Sequence, residues 1–140
     1  MIEGLMSAIP SLIPVQRLEP NEQAAVTEFV GRLLSRYGSD LLRVVMFGSK
    51  ARGDSRDDSD LDVLVVISEY GDGYWQHWNE LVDLAWDIQL TYGVIISLIL
   101  KDEIHYARMK RDGLLLARNI ERDGLVLWTK QPDALTYTSA

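Results

Sequence analysis

Two carboxylates, Asp60 and Asp62, stand one residue apart at the entrance to an apolar run, Leu61 to Ile67. Side chains alternate between the faces of a strand, so both carboxylates point the same way. Two adjacent anions in a partly desolvated place repel each other, and one takes up a proton unless a cation intervenes. Mg²⁺ takes one or two carboxylates together with phosphate oxygens and water. The pair therefore reads as a platform for Mg²⁺ (or Mn²⁺) and the phosphates it carries. Gly48-Ser49 supplies the other half, directly after the apolar run Leu41 to Phe47. Glycine lets the backbone approach a phosphate closely and accepts conformations other residues avoid. Ser49 adds a hydroxyl and a backbone N–H, and a helix starting here would turn its amides toward an anion. Lys50 and Arg52 lie in the same segment and could add positive charge.

A Gly-Ser pair alone is a common turn, and Asp-x-Asp alone is a common strand start. The restrictive feature is their order: apolar strand, Gly-Ser, a polar loop with ten residues between Ser49 and Asp60, Asp-x-Asp, apolar strand.

The elements that must position these residues are legible in outline. Pro20-Asn21-Glu22 reads as a helix start with Asn21 as cap. Ala25, Val26, Phe29, Val30, Leu33 and Leu34 then recur at helical spacing up to Gly38. Leu41 to Phe47 is a buried strand, Ser49 to Ser59 a loop with room for one helical turn, and Leu61 to Ile67 a second strand. Gly71-Asp72-Gly73 is a turn. Tyr74 to Tyr92 is a long helix with Trp78, Leu81, Val82, Ala85 and Ile88 on one stripe. Val94 to Leu100 is a third strand. Asp102 to Lys110 and Leu114 to Ile120 are short helices, and Leu125 to Thr129 is a last strand. The expected fold is α/β (α+β): a mixed central sheet of about four strands flanked by helices. The chain divides into an N-terminal arm (1–19), a single domain (20–130) and a tail (131–140) expected to be disordered. Glu3, Pro10 and Pro14 argue against reading the arm as a targeting segment.

GSKARGD followed by SDLDVLVV resembles the signature of the DNA polymerase beta-like nucleotidyltransferase superfamily, and the spacing resembles its minimal branch, the MNT proteins. The resemblance covers roughly Asn21 to Thr129 and extends to the closing NIERDGLVLW. It implies the nucleotidyltransferase fold, with Gly48 and Ser49 as the phosphate-binding pair and Asp60 and Asp62 as catalytic, metal-binding carboxylates. Arg52 and Ser59 take nucleotide-contacting positions. It further implies transfer of a nucleoside monophosphate, AMP from Mg–ATP, to a protein hydroxyl, and an antitoxin role beside a HEPN-type partner.

The same resemblance implies a third carboxylate from a later strand. Residues 93–100 contain no acid, and Ser97 stands at about the expected place. A neutral hydroxyl is a weak substitute in a two-metal mechanism. Asp83, Asp87, Asp102 and Glu103 are the acids near enough in sequence to replace it. Two further readings follow: a nucleotide-binding antitoxin acting by contact without turnover, and a small-molecule nucleotidyltransferase of the antibiotic-modifying kind.

Composition bounds the rest. The 140 residues carry a formal net charge of −7, with 47% hydrophobic and 25% charged residues and no cysteine. One soluble domain is expected. Disulfides, thiolate metal sites and cysteine nucleophiles are excluded, and a reducing cytoplasm fits. So acidic a chain does not suit long nucleic acid, whose binding is driven by Lys and Arg. No stretch is long enough to span a bilayer. His77 and His105 lack ligand-like spacing and read as exposed helix residues. Trp75, Trp78 and Trp86 cannot all face one core; exposed aromatic surface there would favour a protein interface, and core packing is the equal reading for any one of them. A homodimer is among the partner arrangements the chain allows. Arg108, Lys110, Arg111, Arg118 and Arg122 read as a solvated basic face or a contact for phosphates or an acidic partner.

Overall fold

The computed structural model describes residues 18–53 and 60–130. The N-terminal arm up to residue 17, Ser59 and the tail from residue 131 lie outside the described residues. The elements are α1 (Pro20–Tyr37), a short 3₁₀ turn (Gly38–Asp40), β1 (Leu41–Phe47), α2 (Gly48–Arg52), β2 (Leu61–Ile67), α3 (Tyr74–Tyr92), β3 (Ile96–Asp102), α4 (Glu103–Arg111), α5 (Leu115–Asp123) and β4 (Leu125–Thr129).

The start of α1 differs from the sequence expectation. Glu19, not Asn21, is the N-cap, and Pro20 takes the first helical position. Proline is suited there because its missing N–H has no intrahelical acceptor to lose. The Glu22 carboxylate reaches back to accept from the Glu19 N–H at 2.9 Å. Asn21 instead joins two helices, its side-chain amide donating to the carbonyl of Tyr92 and so tying the start of α1 to the end of α3. The third strand also shifts two residues C-terminally, ending at Asp102 rather than Leu100. Asp102 then caps α4 by accepting from the His105 N–H at 2.9 Å.

The sheet order is β3-β2-β1-β4. β1 pairs antiparallel with both β2 and β4, while β2 and β3 run parallel across the α3 crossover. Both inner strands are buried on two faces. Val44, Met46, Leu61, Val63, Val65 and Ile67 face the larger cluster with Phe29, Val30 and Leu33 of α1 and Leu81, Ala85 and Ile88 of α3. Val45, Leu64 and Val66 face a smaller one with Tyr106 of α4 and Ile120 of α5. Each fully buried Leu, Ile or Phe contributes about 1.5–3 kcal/mol. Val82, expected on the buried stripe of α3, is 41% exposed.

Candidate nucleotide and metal site

The ladder between β1 and β2 brings the two motif halves together. Phe47, the last residue of β1, pairs with Asp62. Gly48 follows with φ +78°, and a Cβ there would run into the Asp62 carboxylate. Glycine is thus required twice, by backbone conformation and by close approach. α2 is one helical turn, closed by Gly53 at φ +83°, whose N–H donates to the Ser49 carbonyl at 2.9 Å.

Asp62 shares the parity of Leu64 and Val66, so it lies on the α4–α5 face of the sheet. It is half-buried, and burial pushes its carboxyl above the ordinary range. The neighbouring charge of exposed Asp60 pushes it further, while a hydrogen bond from Ser97 and the charge of Arg52 pull it back. Ser97 is the register partner of Asp62 on β3. The residue standing where a third acid was expected therefore touches the second one.

None of the four substitute acids fills that gap. Asp102 pairs in register with Ile67, at the other end of β2. It lies five residues beyond Ser97, about 16 Å along a strand. It is buried, which disfavours its charge. Hydrogen bonds from the His105 N–H, His105 Nδ1 (2.6 Å) and the Tyr70 N–H (3.4 Å) outweigh that and hold its carboxyl below the usual range. Glu103 begins α4 at that same far end. Asp87 receives a hydrogen bond from Arg32 at 3.3 Å, and Asp83 lines a cavity of about 560 Å³ between α1 and α3. Both are on the opposite side of the sheet from Asp62. Among the described residues, no group of three or more acids, histidines or cysteines is placed to hold a metal.

Lys50 overturns one expectation. It is buried and forms a 2.7 Å ion pair with Glu22, so its charge is turned into the domain rather than toward a phosphate. Glu22 is the residue that sequence reasoning missed; it pins α2 to α1. No periodicity distinguishes it from the surface acids around it. Arg52, by contrast, is exposed, and its charge acts on both Asp62 and Asp123 at the end of α5.

The histidines are more engaged than expected. His77 is half-buried with Nδ1 3.1 Å from the Tyr37 hydroxyl, and the His105 ring stacks on Tyr70. Of the basic residues, Lys110 pairs with Glu121, Arg111 with Asp112 and Arg122 with Asp123. This is the pattern of a solvated face. No helix among the described residues is long and apolar enough to cross a membrane.

Known proteins resemble this chain along most of its length. A Methanocaldococcus jannaschii protein named "Putative protein adenylyltransferase MJ0604" is 35% identical over 108 residues, covering 77% of this chain and 99% of that protein. A solved chain described as a "putative minimal nucleotidyltransferase" is 27% identical, covering 79% of this chain and 97% of its own, with a TM-score of 0.48. A chain from a toxin–antitoxin structure with AMP-PNP is 18% identical over 80% of each chain, also with a TM-score of 0.48. The family described as "Polymerase beta, Nucleotidyltransferase" matches residues 30–133, and this chain belongs to it.

Proposed function

We propose that the chain transfers AMP from Mg–ATP to a hydroxyl of a protein, acting in the cytoplasm as the antitoxin of a HEPN–MNT pair. The observation that carries this reading is the contact of Gly48 with the Asp62 carboxylate, which sets a close-approach backbone beside a carboxylate pair. A protein acceptor is favoured by the name of the 35%-identical relative, which this chain covers almost end to end.

The residues fit a hard divalent cation that arrives with the nucleotide. Asp60 and Asp62 repel each other, and burial raises the Asp62 carboxyl. Two carboxylates without a third protein acid suit a cation that completes its shell with phosphate oxygens and water. Such an ion, when bound, would neutralise charge on the triphosphate. Gly48 lets the chain approach the phosphates, Ser49 donates to them, and exposed Arg52 adds positive charge at the same edge. Ser59, next to Asp60 in the sequence, is assigned a nucleotide-contacting role by the family resemblance alone. The acceptor oxygen bonds to the α-phosphorus, the bond to the β-phosphate oxygen breaks, pyrophosphate leaves and the hydroxyl proton passes to solvent.

One observation favours a second reading, neutralisation by contact without turnover. Ser97 faces Asp62 and brings no charge. The two readings separate with the full chain, Mg²⁺, ATP labelled at the α-phosphate and the HEPN-type partner that the proposal requires. Transfer predicts a labelled partner, loss of label in Asp60→Asn/Asp62→Asn, and more label in Ser97→Asp. A partner that is neutralised yet never labelled, by wild type or Ser97→Asp, rules transfer out and leaves binding.

A further inference from the structure

α3 has one buried face and two different flanks. α1 packs along the flank carrying Glu80, Leu84 and Asp87, with Arg36–Glu80 at 2.6 Å and Arg32–Asp87 at 3.3 Å. The opposite flank carries Trp75 (70% exposed), Val82 (41%), Trp86 (58%) and Leu90 (68%). With Asn79 between them, positions 75, 79, 82 and 86 alternate steps of four and three. That is the spacing of a seam that packs against another helix. Positions 75, 78, 79, 82, 86, 89 and 90 hold no charged residue. α3 lies against β3, the edge strand of the sheet, so the ridge stands over an open side of the domain. The ridge is on the sheet face opposite Asp62 and owes nothing to nucleotide chemistry.

We propose that this ridge is the interface of a two-fold homodimer in which α3 packs antiparallel against α3 of a second copy. Three observations select a second copy as the occupant. The ridge is its own complement: Val82 lies near its midpoint, so an antiparallel pair sets Trp75 against the partner subunit's Leu90 at both ends, as an isologous contact demands. Its area is of the right order. Large aromatic side chains bury about 150–250 Å² each. The exposed parts of two tryptophans and two aliphatic residues then amount to about 500 Å² per copy, much of the ~800 Å² that each partner gives to a standard interface. Finally, a chain of net charge −7 repels its own kind across most of its surface. The crest of the ridge (75, 79, 82, 86 and 90) holds no charge and exposed Asp83 stands at its margin, so two copies meet there with fewer like charges opposed than elsewhere on so acidic a surface.

Sedimentation equilibrium of the full chain over a wide concentration range tests this. The wild type is expected as a dimer. Trp86→Glu and, separately, Leu90→Glu should each raise the dissociation constant by about 30-fold or more, because the two-fold sets each new charge into the apolar contact twice, with the helical circular dichroism unchanged. Leu115→Glu, an exposed apolar position on α5, should leave the dimer intact. A wild type that stays monomeric throughout means that something else covers the ridge, such as residues 1–17 or an unlike partner, and overturns the proposal. So does a dimer that either ridge variant leaves intact.

Discussion

The contact between Gly48 and Asp62 makes a quantitative prediction that needs no nucleotide. Replacing Gly48 with alanine imposes two separable costs. The first is conformational: at φ +78°, an alanine sits about 1–2 kcal/mol above its preferred conformations. The second is steric and falls on Asp62, whose carboxylate occupies the space a Cβ would need. The carboxylate must turn away, giving up its hydrogen bond from Ser97, about 1 kcal/mol, and settling in a poorer rotamer for about 0.5–1.5 kcal/mol. Gly48→Ala should therefore cost about 3–4 kcal/mol, a fall in Tm of about 10 °C for a domain of this size. In an Asp62→Ala background the colliding atoms are gone, and the nearest remaining atom, the Asp62 Cβ, is 3.4 Å away, an ordinary contact. There Gly48→Ala should cost only the backbone share, about 1–2 kcal/mol. Urea denaturation of the four proteins measures the coupling, expected at about 2 kcal/mol. If Gly48→Ala costs the same in both backgrounds within ~0.5 kcal/mol, the two residues do not touch and do not form one joined site.

Two further outcomes follow from the charges around the site. Breaking the buried Lys50–Glu22 pair with Lys50→Met or Glu22→Gln should each cost about 3–5 kcal/mol by leaving one buried charge alone, whereas the double variant should regain most of it; simple additivity in urea melts would contradict a direct pair. Asp62 titrates above its ordinary value of 3.8, so the folded state binds this proton more tightly than the unfolded chain, and its contribution to stability falls as pH rises through that window and stays unfavourable at neutral pH. The rise in Tm given by Mg²⁺ with nucleotide should thus be largest near neutrality, shrink as acid reprotonates Asp62, and vanish in Asp62→Asn, and a rise that persists unchanged well below pH 3.8 would speak against Asp62 as the responsible ligand.

The sequence conveyed the elements better than their partners. Apolar runs bounded by glycine, at Phe47-Gly48 and Tyr92-Gly93, located strands and helices because burial and backbone freedom are local properties. The nearness of Asp60 to Asp62, close enough for one charge to act on the other, was legible in the Asp-x-Asp spacing. What lay beyond reach depended on contacts between distant residues. Lys50 beside Arg52 reads as a second phosphate-facing cation, and only the packing of α2 under α1 turns it toward Glu22. Asn21 resembles a cap by type, yet Glu19 and Glu22 take that role and leave its amide for Tyr92. Val82 fits the apolar stripe of α3, but the stripe is wider than the face that the sheet covers, so it emerges on the open flank.

The mixed sheet explains why the candidate site residues gather at one edge. β1 ends where antiparallel β2 begins, and β4, antiparallel to β1, also begins there. β3 runs parallel to β2, so its first residues arrive at the same edge, with Asp62 opposite Ser97. Gly48, Asp60, Asp62, Ser97 and the Asp123–Gly124 junction thus meet from four strand ends although 76 positions separate the first from the last. Gly124 keeps that junction close, since a Cβ there would strike the Ile120 carbonyl and the Val45 side chain. Arg52 lies between two acids of this edge and lowers the cost of charge on both Asp62 and Asp123. Of the positions on β3, only the first ones reach this edge, so a carboxylate that completes the site from that strand must enter at Ser97; Asp102 has the charge but stands at the wrong end.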